Sequence, residues 1–376
     1  MRVLLDVSAV PARPVGAGVY TVALATALSA RADVDLHLAT RSDDEDRWHI
    51  IAPDARVHGA VPTRRPARLA WEQTRAPALA ARVAPDVWHG PHYTMPLRAA
   101  VPCVVTVHDM TFFDHPEWHE RSKVLFFRRM IRAAAHRAAA IVCVSDYTAD
   151  RLRAHTAPRA EVIVAHHGVD HERFRPDGDA TADRTTLAVH GIAPPYIGFA
   201  GTIEPRKNVP ALVRAFARIA ADHPDLRLVL AGSDGWGARP VREAIAASGF
   251  ATRIVRPGYV DNRAIPALFR RAAVVAYPSF EEGFGLPALE GLACGAPVVT
   301  TAGSALGEVV GDAAVLAPPD DVNALADAIA RVLDDPALAT RLRAAGPARA
   351  ASFTWERCAD QHIEAYAHAV RAGARA

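Results

Sequence analysis

The sequence predicts an α/β chain built from two doubly wound, parallel-sheet domains, and three observations carry that prediction. Short, continuously apolar runs alternate with longer helical patterns along the whole chain, the signature of strands buried on both faces. The alternation is interrupted once, by the polar, Pro/Gly-containing stretch 170–195. The 376 residues suffice for two domains of ordinary size.

In the first half, VLLDV (3–7), PCVVTV (102–107), IVCVS (141–145) and EVIVAH (161–166) read as buried strands, with helical stretches at 17–31, 121–139 and 146–155. The second half restarts with YIGFAG (196–201), LRLVLAG (226–232), RIVRPG (253–258), AVVAYPS (273–279) and PVVTT (297–301). Helical segments 208–222, 239–248, 262–271, 287–293 and 321–334 separate these strands. With 170–195 as linker, the domains fall at 1–180 and 190–350. A C-terminal helix, 354–376, shows an apolar face through Trp355, Ile363, Tyr366 and Val370 and is expected to pack back on the N-terminal domain. Two such domains facing across a cleft would place ligands at the carboxyl ends of their strands.

Composition excludes several functions. With 43 Lys/Arg against 41 Asp/Glu the net charge is +2, so the molecule is no general nucleic-acid binder. The four cysteines are scattered, as expected for buried thiols in a reducing, cytoplasmic setting. No run of eighteen apolar residues predicts a membrane span, and the first apolar run, interrupted by Asp6, is too short for a signal peptide. The histidines show no H-E-x-x-H or other tight ligand spacing, so zinc is rejected and no metal is expected. DGD (177–179) imitates an Asp-x-Asp metal motif but sits in the linker, where a solvated loop is expected.

Two motifs at strand ends carry the chemistry. GTIEPRKN (201–208) turns out of a strand and delivers Arg206 and Lys207 beside a helix N-terminus, an arrangement suited to a pyrophosphate. EEGFGLPALE (281–290) follows the next strand but two, with Pro287 at a helix's first turn and Gly283 and Gly285 allowing close approach of a ligand. Glu290 could simply favour the helix dipole, whereas Glu282 precedes the turn. Hydrolytic carboxylates stand roughly 5–10 Å apart, and eight residues of helix would span about 12 Å. The two glutamates therefore fit the ends of one long ligand better than a hydrolytic pair.

With ACGAPVV (293–299), GEVVGDAAVLAPPDD (307–321) and the glycine loop at 16–18, the chain resembles the GT-B retaining glycosyltransferases of family 4 over nearly its whole length. GTIEPRKN and RLAWEQTRAP (68–77) look most like bacterial mannosyltransferases of polysaccharide assembly. The resemblance implies a metal-independent transfer of a hexose, with GDP-mannose the favoured donor and no other cofactor. dTDP-rhamnose and UDP-sugars are the alternative donors. Lys207 and Arg206 would hold the donor pyrophosphate, Glu290 the ribose hydroxyls and Glu282 the transferred sugar. The amides of Gly283, Phe284, Gly285 and Leu286 would lie near sugar or phosphate, and Gly258, Tyr259 and Val260 near the base. Many relatives carry Arg after the glycine of the first turn; here Thr202 follows Gly201. In the first domain Gly16 and Gly18 would lie against donor phosphate and acceptor. His108 would lie beside the donor sugar, with Asp109 and Tyr20 on the acceptor side. The acceptor would be a glycan, a lipid-linked sugar or a small molecule.

Three rivals are weighed. A nucleotide-sugar epimerase or hydrolase shares such a fold. A dehydrogenase is disfavoured because the glycine fingerprint at 16–21 ends in Thr21 and does not directly follow the first strand. A binding module without catalysis would lack Lys207, Glu282 or Glu290, and all three are present. Finally, 121–137 carries six Arg/Lys and no acid on a helix whose apolar face runs through Val124, Phe127 and Ile131. It reads either as a packed helix with a solvated basic side or as a weak contact with anionic lipid at the inner face of the membrane.

Overall fold

The computed structural model describes residues 1–374 and divides into two compact α/β units. The first sheet contains β1 (Arg2–Asp6), β2 (Asp35–Arg41), β3 (Arg56–Val61), β4 (Val87–Gly90), β5 (Cys103–Val107), β6 (Ala140–Cys143) and β7 (Glu161–Val164). The second contains β8 (Tyr196–Ala200), β9 (Arg227–Ala231), β10 (Ile254–Gly258), β11 (Val274–Tyr277), β12 (Val298–Thr301) and β13 (Ala314–Ala317). Every pairing is parallel. The orders are β3-β2-β1-β4-β5-β6-β7 and β10-β9-β8-β11-β12-β13. Each sheet grows in one direction, then reverses, so the switch points lie between β1 and β4 and between β8 and β11.

Both faces of the first sheet are covered at its centre, which is why β5 and β6 are buried along their whole length without alternation. Val105, Val107 and Ile141 belong to one core, Val104 and Val142 to the other. Burying strands on both sides leaves backbone polarity to be satisfied by the ladder alone, which the parallel register does.

The unit boundary differs from the expected one. The first unit is Met1–Gly168 with the C-terminal helix Trp355–Gly373, and the second is Val169–Thr354. The stretch 170–195 is thus no linker: it contains the helix Ala180–Ala188, capped by Asp179, which accepts from the amides of Thr181 and Ala182. Asp183, buried, fixes this helix by accepting two bonds from Arg270 at 2.9 and 2.6 Å. A bidentate pair substitutes for the apolar periodicity the stretch lacks.

The C-terminal helix packs on the first unit with Tyr366 buried and Trp355 and Ile363 against the same core, and its buried face extends beyond the apolar pattern. Cys358, Ala359, His362, Ala365, Tyr366 and Ala369 are buried, while Val370 is only half-buried. The cause is a hydrogen-bonded series inside the core. His362 Nδ1 donates to the Cys358 carbonyl at 2.7 Å, so its Nε2 must accept from the Tyr20 hydroxyl at 2.7 Å. Tyr20 then accepts from Thr106, Thr106 accepts from His89 Nε2, and His89 Nδ1 accepts from Tyr366. Burial pushes His362 down to about 4 and His89 well down, so both stay neutral as the series requires. Among the described residues no helix is long and apolar enough to cross a membrane.

Candidate active site

The second unit's switch point assembles the two strand-end motifs. At the end of β8, Gly201 has φ +154°, and a Cβ on Gly232 after β9 would lie 1.9 Å from the Gly201 carbonyl oxygen. The two strand ends approach so closely that only glycine fits. The chain then makes the short turn Pro205–Lys207 and passes through Asn208 at φ 50°, a conformation Asn tolerates, into the helix Val209–Ile219. After β11 the second loop is bound to the first: the Phe280 amide donates to the Arg206 carbonyl at 2.8 Å. Gly285, at φ +100°, opens the helix Leu286–Ala293, where a Cβ would meet Leu306 at 2.4 Å.

These loops bring Arg206, Lys207 and Glu282 together. Glu282 is 6% exposed and Lys207 also 6%. Lys207 Nζ lies 2.5 Å from Glu282 Oε1, and Arg206 lies 2.5 Å from Oε2. Ser279 donates to Oε1 at 2.8 Å. Lys207 also bonds the Tyr277 hydroxyl and sits 4.6 Å from that ring's centre. Arg206 pairs further with Glu204 at 3.1 Å. Burial drives the Glu282 carboxyl up, but Arg206 and Lys207 outweigh it and hold the group well below the carboxylate range. Burial, then Arg206, lowers the Lys207 ammonium against the pull of Glu282.

Two findings bear on the expected roles. Glu282 Oε1 already accepts two bonds and Oε2 one, so a single lone-pair position remains for a sugar hydroxyl. In this state the glutamate is chiefly counter-ion to the cations. Glu204 and Glu282 also balance Arg206 and Lys207, so the cluster carries no net positive charge until an anion displaces a carboxylate.

Glu290 is the fifth residue of its helix, beyond the first turn, so the capping alternative falls away. It is half-buried, and its side chain makes no hydrogen bond among the described residues. Loss of solvent pushes its carboxyl up to about 7, with Arg173 lowering and Asp170 raising it. The amides of Gly285 and Leu286 donate to no group among the described residues. Tyr259, beyond the φ +75° of Gly258, is 44% exposed, whereas Val260 is 3% exposed and offers no side chain to a base. Gly283 and Phe284 are buried, with Phe284 edge-on to Phe353 at 5.8 Å. Thr202 is half-buried at the tip of β8.

In the first unit, His108 stands at the end of β5 and donates from Nε2 to the Pro91 carbonyl at 2.8 Å. Burial lowers its pKa, so the ring is neutral with Nδ1 as acceptor. Asp109 Oδ1 is occupied by the amide and hydroxyl of Thr111, at 3.0 and 2.6 Å. Gly16, at φ +50°, opens the helix Ala17–Ser29, but the Gly18 amide donates to the Val15 carbonyl at 2.9 Å, so Gly18 has no amide to offer a phosphate. Tyr20 is a correction: it is fully buried beside the His108 ring, 5.0 Å away, and its hydroxyl is engaged by Thr106 and His362, which does not suit a direct contact with an acceptor. Sequence reasoning missed Glu204, Tyr277 and Ser279, although all three lie within the quoted strands and turns.

The description "Glycosyl transferases group 1" matches residues 186–349 and "Glycosyltransferase Family 4" matches 14–173. The O-antigen chain mannosyltransferase B of Escherichia coli is 32% identical over 286 residues, 74% of either chain. A D-inositol 3-phosphate glycosyltransferase of Mycobacterium avium is 35% identical over 238 residues, which span 61% of this chain and about half, 55%, of that protein. Among solved structures, sucrose-phosphate synthase from Thermosynechococcus elongatus superposes with a TM-score of 0.79 at 24% identity, covering 97% of this chain and 98% of that one. Anabaena HepE in complex with UDP-glucose gives 0.77 at 20%, with the same coverage. At those identities the likeness carries the fold: two Rossmann-like α/β domains of GT-B type.

Proposed function

Because this chain belongs to glycosyltransferase family 4, we propose that it transfers mannose from GDP-mannose to an acceptor hydroxyl, with retention and without a metal ion. The observation that carries the reading is the buried Arg206–Lys207–Glu282 cluster at the second unit's switch point. An incoming diphosphate competes with Glu204 and Glu282 for the cations, so binding is an exchange of one anion for another. The freed positive charge then stabilises the departing nucleoside diphosphate, helped by the Gly285 and Leu286 amides. Glu282, tied by Lys207, Arg206 and Ser279, is a poor nucleophile, which favours attack on the leaving group's own face. In that pathway the donor's phosphate oxygen takes the acceptor proton. Glu290 accepts from the ribose hydroxyls and Tyr259 offers a face to the base. On the first unit, His108 Nδ1 accepts from a sugar hydroxyl and Asp109 meets the acceptor.

The proposal extends to a weak, salt-sensitive contact with anionic lipid. Arg121, Arg129 and Arg132 on the helix Arg121–Arg137 make no ion pair among the described residues, and Leu125 beside them is 74% exposed. They line a cavity of about 790 Å³ with Val124 and Arg128. Sedimentation with anionic vesicles at low and high salt tests this contact.

Thermal unfolding with GDP, UDP and GDP-mannose tests the donor, since a ligand bound only by the folded chain raises the midpoint. Stabilisation by GDP supports the reading; a response to UDP alone overturns the choice of base. Lys207→Ala is expected to lower transfer by about 10²–10³-fold, as for loss of a preorganised donor. Full activity in that variant would remove the site assignment.

A further inference from the structure

The first unit holds a second cavity, of about 290 Å³, at the switch point between β1 and β4. Asp6 ends β1 at one side, and Gly90, Pro91 and His92 leave β4 at the other. Gly90 makes the space possible: a Cβ there would lie 1.9 Å from the Thr94 carbonyl oxygen, so the turn folds tightly back. From the helix Arg65–Thr74 come Arg65, Arg68 and Glu72, one turn apart on the same side. Phe126 supplies an apolar wall.

The polar groups fall into two sets. Glu72 is 5% exposed and is aimed by the Thr94 hydroxyl at 2.6 Å and the Gln73 amide at 3.0 Å. Asp6 is held by the Ser8 amide at 3.0 Å. Two oriented acids beside an aromatic wall suit the hydroxyl edges and C–H face of a sugar ring. The arginines form the other set. Arg65 is exposed and makes no hydrogen bond among the described residues, and Arg68 makes one, to the Thr63 carbonyl at 3.3 Å. Their remaining donors are left for an anion of phosphate geometry. The volume lies just below the ~300–1,000 Å³ of pockets for drug-sized ligands, so one ring with one charged substituent is the fitting size. The cavity wall also reaches His108: Pro91 accepts the His108 hydrogen bond, and the His92 and His108 rings are 5.8 Å apart.

The geometry points to this cavity as the acceptor subsite, taking a hexose ring that carries a phosphoryl group. This inference rests on the transferase reading above, which it deepens by naming the acceptor's chemistry.

Titration calorimetry of the full chain with mannose, mannose 1-phosphate and inorganic phosphate tests it. Mannose 1-phosphate is expected to bind at least tenfold more tightly than mannose. Arg68→Gln, and separately the exposed Arg65→Gln, should reduce that advantage to a few-fold or less. Glu72→Gln should weaken both sugars. Equal binding of the two sugars, indifference to both arginine variants, or inorganic phosphate binding as tightly as the sugar phosphate would each overturn the assignment. GDP and UDP responses on the same samples separate the two readings. If neither nucleotide binds the wild type, the transferase reading fails irrespective of the cavity. If one binds and the sugar phosphate does not, the cavity assignment alone fails.

Discussion

Replacing Glu282 by Gln keeps the shape of the site and removes one charge from a buried cluster. Lys207 then loses its counter-ion while only 6% exposed, and Arg206 keeps its pair with Glu204. Removing one partner of a buried pair costs about 3–5 kcal/mol. Arg206 is 29% exposed, and the Tyr277 hydroxyl stays in place, so the lower end, about 3 kcal/mol, is the expected loss. For a domain of this size that lowers the unfolding midpoint by roughly 6–12 °C. The sign with pH is fixed by the carboxyl. Its folded pKa lies below the ordinary 4.5, so its contribution is complete above that value and is lost as pH falls through 4.5 toward about 2. The gap between wild type and variant therefore closes in acid. The variant cluster has net charge +1, which a diphosphate can neutralise without displacing a carboxylate. GDP at a hundredfold excess over its Kd restores about 2.7 kcal/mol, so the variant's midpoint should rise at least as much as the wild type's while transfer falls. Scanning calorimetry of both proteins, with and without GDP, reads all of this. An unchanged midpoint without ligand, or a smaller GDP shift in the variant, would refute the anion-exchange argument.

Three further outcomes follow from the same geometry. A carboxylate accepts ribose hydroxyls best when ionised, and Glu290 titrates at about 7, so GDP-mannose affinity should rise between pH 6 and 8 and lose that slope in Glu290→Gln, measured by calorimetry. In the free chain the same raised pKa makes this group's effect on stability worsen as pH climbs from 4.5 to 7. Tyr20→Phe leaves Thr106 and His362 each short of a partner, and urea unfolding should show a loss of about 1–3 kcal/mol; a loss below 0.5 kcal/mol would contradict the buried series. Gly232→Ala should destabilise by more than ~2 kcal/mol, because its Cβ would collide with backbone at 1.9 Å and φ is +147°. Its soluble yield and melting midpoint are the readouts, and a wild-type midpoint would count against the close approach of β8 and β9.

How much was legible depended on burial. The strands β8, β9, β11 and β12 carry buried apolar runs, and sequence placed these and β10 within two residues of their observed ends. β2, β3 and β4 escaped because they read DLHLATR, RVHGAV and VWHG, in which His, Arg, Asp and Gly break the apolar pattern. In β3, at the sheet's edge, this polarity is tolerated; in β2, His37 is buried against His58 at 2.9 Å, and in β4, His89 is buried because Thr106 and Tyr366 satisfy it. The cations and glutamates of the second unit were visible as residue types at strand ends. That Glu282 neutralises Lys207 was not, because a 75-residue separation hides an ion pair from any local pattern. The Tyr20 role failed for the same reason: its partner His362 lies 342 residues away. Asp6, interrupting the first apolar run, was the available signal for the cavity beside β4.

The series from Tyr366 to the Cys358 carbonyl has a consequence in time. Tyr20, Thr106 and His89 are made early and bond one another, yet the Tyr20 hydroxyl proton and His89 Nδ1 find their partners only on His362 and Tyr366. Until the last helix is synthesised and docks, the first unit's core contains polar groups facing apolar neighbours. The second unit, 169–354, is complete before that moment. Domains usually finish in the order in which they leave the ribosome; here the unit begun first should be the one finished last. Pulse proteolysis of chains halted at Thr354 would then find the second unit resistant and Met1–Gly168 open to cleavage.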